Sequence, residues 1–297
     1  MKYVITGGAG HISKPLTKKL LAAGHSVSVI GRNIENLKEL TAAGATAAIG
    51  SVEDVAFLKQ AFAGADAVYT MVPPAFPSAG WKEWIGKIGS NYAQAIDATG
   101  VKYVVNLSSL GAHLADGAGP ISGLHRAENS LNKLTNVNVK HLRPGFFFEN
   151  LLANVSLVKN AGIIGSNFGG ENFKLVLSDP KDIADAAFEE LNGLSFTGNS
   201  VRYLASDERN TNDIAKVIGK AIGKPELPWI TFSNDDAYNG MVQAGLPAEV
   251  AKNYAEMNNS LQTGVAAEEY WKNQPSKYGN VKLEDFAKIF AAVYNAN

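Results

Sequence analysis

A chain of 297 residues, 46% hydrophobic and 19% charged, can bury a substantial core as one large domain or two smaller ones. Its 27 Lys+Arg against 28 Asp+Glu remove any electrostatic case for a nucleic-acid or anionic-membrane partner. With no cysteine, disulfides, thiolate catalysis and Cys-ligated metal sites are excluded.

No apolar run approaches the ~20 residues of a membrane span. A strand pattern that begins at Lys2 leaves no room for a signal peptide, so the expectation is a cytoplasmic protein. The run KYVIT at 2–6 reads as a buried strand, followed by a glycine-rich turn. A helix over 15–23 places Leu16, Leu20 and Leu21 on one face, with Gly24 just past its end. A second strand (26–30) and helix (34–43), a weaker strand (46–49), a helix (55–63) and a fourth strand (67–71) follow. The helix predicted for 81–99 stops at Gly100; a strand at 102–107, a helix near 122–134 and a strand at 140–142 complete the alternation. After Pro144 the rhythm changes, with an aromatic stretch at 146–152 and strands at 173–177 and 201–204. Helices are predicted at 181–191, 211–222, 235–244, 247–261 and 283–294, and a loop at 273–280. Short strand–helix connections imply an α/β protein: a Rossmann-type doubly wound parallel sheet with a smaller, mostly helical C-terminal lobe. The division expected is 1–145 for the core and 146–297 for the lobe, within one compact unit with a soft boundary near Gly145.

The segment TGGAGHIS at 6–13 leaves a strand and opens a helix. Gly7 suits the tight turn, Gly10 lets the backbone approach a pyrophosphate, and the helix start offers free N–H groups and a positive dipole end. Ser13 stands where a third glycine is usual, which predicts slightly looser helix–strand packing. Thr6, Gly7, Ala9, Gly10, His11 and Ile12 are therefore the expected dinucleotide contacts. An NAD site wants a carboxylate after the second strand; this chain has Gly31, Arg32 and Asn33, and no Asp or Glu from Gly7 until Glu35. Arg32 suits a 2′-phosphate, so NADP(H) is preferred and NAD(H) is second.

With these landmarks, and with GADAVYTMVPP at 64–74, GVKYVVNLSSLGAH at 100–113, HRAENSL at 125–131, HLRPGFFFENL at 141–151 and SDPKDIADAAFEEL at 178–191, the chain resembles the NmrA-like family of atypical short-chain dehydrogenase/reductases. It looks closest to bacterial NAD(P)H:quinone oxidoreductase-type members. The resemblance implies a substrate held between the cofactor and the C-terminal lobe. It also implies that Val72 and Pro73 border the ribose and nicotinamide, with Ser108, Pro144 and Phe146 beside them. Pro74, Phe76, Ser109 and Phe147 are the implied substrate pocket. Ser51 stands where relatives often carry an Asp that reaches the adenine, which removes that contact.

Standard members of the wider family use a tyrosine and a lysine four residues apart on the helix after strand five, and here those positions hold Leu124 and Glu128. Alcohol–ketone chemistry by that route, and sugar epimerisation with it, are disfavoured. Reduction of a quinone by direct hydride transfer asks mainly for positioning and exclusion of water. Phe76, Trp81, Trp84, Phe146, Phe147 and Phe148 supply aromatic surface for a flat substrate. His125 is the best proton-transfer candidate, ahead of His113 and His11. Glu128 reads as structural, paired with a neighbour. No metal site is expected. The balance favours an NADPH-dependent reductase of a quinone or similar conjugated electrophile. The alternative is an NAD(P)-binding redox sensor acting through a protein partner. Monomer and homodimer are equally compatible.

Overall fold

The computed structural model describes residues 1–76 and 79–296; Asn297, the last residue of the expected lobe, lies outside the described residues. The first half runs β1 (Lys2–Ile5), α1 (Ser13–Ala22), β2 (Ser26–Gly31), α2 (Lys38–Ala42), β3 (Thr46–Ile49), α3 (Val55–Phe62), β4 (Ala67–Thr70), α4 (Trp81–Thr99), β5 (Tyr103–Leu107), α5 (Pro120–Asn132) and β6 (Asn138–Pro144). The second half runs β7 (Phe146–Phe147), α6 (Val155–Ala161), β8 (Ile164–Ser166), β9 (Leu175–Ser178), α7 (Pro180–Gly193), β10 (Asn199–Leu204), β11 (Asp207–Arg209) and α8 (Thr211–Ala221). It ends with β12 (Trp229–Thr231), α9 (Asn234–Gln243), α10 (Ala248–Gln262), α11 (Glu268–Lys272) and α12 (Leu283–Ala296).

Alternation along the strands divides the apolar residues between two faces. Tyr3 and Ile5 of β1, Val27 and Val29 of β2, Tyr69 of β4 and Val105 of β5 enter one core with Leu16 and Leu20 of α1 and Ile183 and Leu191 of α7. Val4, Ile30, Val68 and Val104 enter the other, against Leu58 and Phe62 of α3, Ile88 and Ile96 of α4 and Leu131 of α5. The result is a seven-stranded sheet in the order β10-β6-β5-β4-β1-β2-β3, parallel throughout. The chain steps outward from β1 to β3 and then crosses back to β4 on the other side of β1. That reversal opens a crevice at the carboxyl ends of β1 and β4, where open α/β sheets hold ligands.

On the second face α4 and α5 are pressed together, and glycine is what permits it. A Cβ on Gly89 would lie 2.4 Å from Ala127 Cα, and one on Gly123 would lie 2.7 Å from Ile85 Cβ. Past Gly145 the chain returns to the main sheet: β10 pairs with β6 along its edge and α7 packs on α1. Several of the remaining elements enclose a separate core in which Phe148, Leu175 and Leu177 meet Ile214 and Ile218 of α8 and Phe286 and Phe290 of α12.

Three expectations need correction. The helix over 34–43 forms as a 3-10 turn, Glu35–Leu37, running into the short α2; Asn33 Oδ1 accepts from Glu35 N at 2.9 Å and starts it as an Asx turn. The helix at 122–134 begins earlier, at Pro120, a residue suited to a first turn. The lobe also holds two small sheets, β11-β9-β7 and β12-β8, of which only β9 was anticipated. Among the described residues, no helix is long and apolar enough to cross a membrane.

Candidate functional site

The loop after β1 is shaped by backbone geometry, by a short-range side-chain bond within it and by a long-range one to the turn after β4. Gly7 and Gly8 have φ of +92° and +58°, a region open to glycine at little cost, and Gly10 N donates to Gly7 O at 3.1 Å. A Cβ on Gly7 would fall 2.5 Å from Ser13 Oγ. Ser13 Oγ itself donates to Thr6 O at 2.7 Å, so the third-glycine position is a tie between helix and strand, which corrects the expectation of looser packing there. Thr6 is fully buried and acts from beneath the loop: its Oγ1 accepts from Met71 N at 3.0 Å, linking β1 to the turn after β4. Tyr92 of α4 donates to Met71 O at 2.7 Å and secures the same turn. At the start of α1 the N-cap, Ile12, supplies no side-chain bond and the first turn holds no acidic residue, so its dipole end faces the loop uncompensated. Ala9 is half-buried and His11 exposed.

Arg32, just past β2, is exposed and makes no ion pair or hydrogen bond among the described residues. The nearest downstream carboxylates are neutralised elsewhere, Glu35 by Lys38 and Glu39 by Lys14 and Lys18. Ser51 Oγ accepts from Glu53 N, a local turn bond. In the turn after β4, Val72 and Pro73 are half-buried and Pro74 is exposed. Phe76, 55% exposed, meets Trp81 edge-on at 5.5 Å and Tyr254 at 6.4 Å.

The face of α5 replaces the usual proton-handling pair with two different things. Leu124 packs against the apolar cluster of Trp81, Ile85 and Val250. Glu128 is buried and engages Arg143 of β6 bidentately, Nε to Oε1 at 3.0 Å and Nη2 to Oε2 at 2.6 Å. Arg143 also donates to Tyr203 Oη at 3.1 Å and lies over its ring. Burial pushes the Glu128 carboxyl up, but hydrogen bonds from Arg143 and the nearby positive charge outweigh it, holding the group ionised below its ordinary range. Ser108, buried at the end of β5, lies beside this carboxylate, whereas Ser109 Oγ donates to Leu110 O at 2.9 Å.

His125 is held at both ring nitrogens. Nδ1 bonds Ala112 O at 2.8 Å, which requires it to carry the proton, and Nε2 accepts from Asn129 Nδ2 at 2.8 Å. That arrangement brackets α5 to the 111–119 loop. His113 Nε2 donates to Val265 O at 3.1 Å.

Pro144 and Gly145 are buried where β6 hands over to β7, and a Cβ on Gly145 would lie 2.4 Å from Val176 O. Phe146 stands edge-on to Phe168 at 5.6 Å, and Phe147 packs against the main core. Phe148 is fully buried and stacked on Phe286 at 5.5 Å, so it belongs to the core and not to an aromatic pocket. Trp84 Nε1 donates to Glu53 Oε2 at 3.3 Å. The structure thus sets the glycine loop against Met71 and the end of β2, where Arg32 follows, with Ser108 and Pro144 at the neighbouring strand ends.

Two residues escaped the sequence reading. Glu149 contacts the phosphate loop, its Oε1 at 2.6 Å from His11 Nδ1. Tyr254 of α10 reaches the 71–76 turn. The motif at 141–151 contains Glu149 and was a local signal; nothing near Tyr254 marks it.

Comparison with known proteins agrees with this architecture. The model of the NmrA-like family matches residues 2–262. The chain is 43% identical over 68 residues to an uncharacterized protein of Schizosaccharomyces pombe, a match that spans 23% of that relative's length. Among solved structures it is similar to Citrobacter sp. triphenylmethane reductase complexed with NADP(H), at TM-score 0.80 and 18% identity over 98% of this chain and 100% of the other. It is also similar to an NADPH-dependent quinone oxidoreductase of Escherichia coli complexed with NADPH, at TM-score 0.74 and 19% identity over 97% and 99%.

Proposed function

We propose that this chain, which belongs to the NmrA-like family, binds NADP(H) in the crevice between β1 and β4 and reduces a quinone or similar flat, conjugated electrophile. The observation that carries the reading is the pairing of the Gly7–Gly8–Gly10 loop at the bare start of α1 with Arg32 at the end of β2, exposed and unpaired among the described residues. The loop and helix start present N–H groups to a pyrophosphate, and Arg32 offers two parallel donors to a 2′-phosphate. A Cβ on Gly10 would crowd Gly7 O at 3.1 Å, so the cradle suits a glycine there and accepts close approach. These residues fit the group, which supplies a hydride when bound. NAD(H) is the weaker ligand, since no carboxylate stands at the end of β2 to take a ribose hydroxyl.

The rest of the site positions and excludes water. Val72, Pro73 and Pro144 are proposed to border the cofactor, and Pro74, Phe76, Ser109 and Phe147 the substrate. Two quinone-reducing or dye-reducing relatives of the same fold carry NADP(H) or NADPH, which supports the cofactor and the substrate class. A second reading has one observation in its favour: Leu124 and the closed Glu128–Arg143 pair leave α5 without the usual tyrosine–lysine pair, as a non-catalytic NAD(P)-binding sensor would allow.

Following NADPH absorbance with a panel of quinones and enals separates the two. Oxidation above background with at least one acceptor is expected; none with any of them contradicts the reductase. With turnover in hand, His125→Ala is expected to lower stability more than rate, since both nitrogens bond within the chain. A selective loss of rate at unchanged stability returns the proton role to His125.

A further inference from the structure

Leu124 of α5 shares its apolar cluster with a tyrosine of α10. Tyr254 packs against Trp81, Ile85 and Val250, the same three buried residues against which Leu124 and Val72 pack. Its ring meets Trp81 edge-on at 5.4 Å and Phe76 at 6.4 Å, so it belongs to the aromatic group that closes the turn beside the crevice. The phenol oxygen makes no hydrogen bond among the described residues. Partial burial pushes its ionisation above the ordinary tyrosine value, which keeps the O–H as a donor.

The helix carrying it is fixed on both sides. Glu249 Oε1 accepts from Trp81 N at 2.9 Å, and Lys82 Nζ pairs with Glu256 Oε1 at 2.9 Å. Gly119 admits Asn253 O so closely that a Cβ there would lie 2.0 Å from it. These contacts flank residue 254 and hold its ring against the 71–76 turn. A donor without a partner, on a rigid helix and next to a 55%-exposed phenylalanine, is how a site reads one oxygen on a flat ligand.

We propose that Tyr254 determines substrate specificity: its ring forms a wall with Phe76 and Trp81, and its O–H donates a hydrogen bond to a carbonyl oxygen of the conjugated substrate. The phenol is supplied from the C-terminal lobe and not from α5. This rests on the reductase reading for the identity of the ligand.

The test measures binding, not turnover, by calorimetry on the full chain with 1,4-naphthoquinone and, as the oxygen-free match, naphthalene. Tyr254→Phe is expected to weaken the quinone about three- to tenfold, the span of a neutral hydrogen bond, and to leave naphthalene within twofold. Tyr254→Ala is expected to weaken both. Unchanged quinone affinity in the Phe variant, equal losses for both ligands in that variant, or no quinone binding by the wild-type chain would each overturn the proposal. An unchanged melting temperature in the Phe variant shows that folding is not the cause. Because the readout is binding alone, discrimination between the ligands together with no NADPH oxidation in the separate acceptor panel contradicts the reductase and leaves the Tyr254 assignment standing.

Discussion

The loop after β1 and the Leu124–Glu128 face of α5 are held by different kinds of contact. Around the loop, the shape comes from bonds short in sequence, Ser13 to Thr6 and Gly10 to Gly7, and from glycine φ angles. The distant ties from Met71 to Thr6 and from Glu149 to His11 anchor a turn already formed. Around α5, the contacts that define the face all join separate elements: Glu128 to Arg143 of β6, Arg143 to Tyr203 of β10, and Leu124 on a cluster completed by Val250 of α10. A locally built site is specified by a motif and can bind the same ligand in many proteins. A site built from partners on separate elements changes when any one of those partners changes.

The comparison breaks first if α5 can be separated from α4. Gly89→Val places a branched side chain where even a Cβ would lie 2.4 Å from Ala127, and backbone on both sides leaves no room to relax. Loss of soluble, folded protein is expected, a cost beyond the ~1–3 kcal/mol of ordinary overpacking. A cooperative melt near the wild-type temperature would show that the two helices are not locked.

A smaller effect, about 3–5 kcal/mol at neutral pH, is expected for Glu128→Ala, because Arg143 is left buried without its partner. The sign of the pH dependence follows from the lowered Glu128 ionisation. A carboxyl held below its ordinary 4.5 contributes fully above that value, and the contribution is lost as pH falls through the folded-state value. The stability gap between wild type and Glu128→Gln should therefore shrink below about pH 4.5 and stay constant above it. Chemical denaturation at several pH values measures this; a gap that widens in acid contradicts the assignment.

The same contrast explains what was legible beforehand. Strands β1 to β6 and helices α1, α3 and α4 announced themselves because a buried parallel strand is a continuous apolar run and each helix ends near a glycine. The glycine loop and Arg32 were visible for the same reason, being contiguous with those elements. The lobe hid its strands: β7 is Phe146–Phe147, β8 is Ile-Gly-Ser and β11 is Asp-Glu-Arg, each too short for a period and each defined only by a distant partner. Glu128 was readable as a paired group, but not that its partner is Arg143. Tyr254 sits in a helix whose sequence carries only a helical pattern, and its relation to the 71–76 turn depends on how α10 folds back over α4. Gly89 and Gly123 lacked any signal of helix contact, since a glycine inside a helix reads as a weakness and not as an interface.

The central claim is that this chain reads the 2′-phosphate of NADP(H) with Arg32 on the loop-built side of the crevice. Fluorescence titration of wild type and Arg32→Ala with NADPH and with NADH tests it most directly. NADPH is expected to bind wild type about tenfold or more tightly than NADH, about 1.4 kcal/mol. In Arg32→Ala that gap should close through loss of NADPH affinity alone, with melting temperature unchanged because the side chain is exposed and unpaired among the described residues. Equal affinity of wild type for the two cofactors, or a preference that survives the substitution, would contradict it.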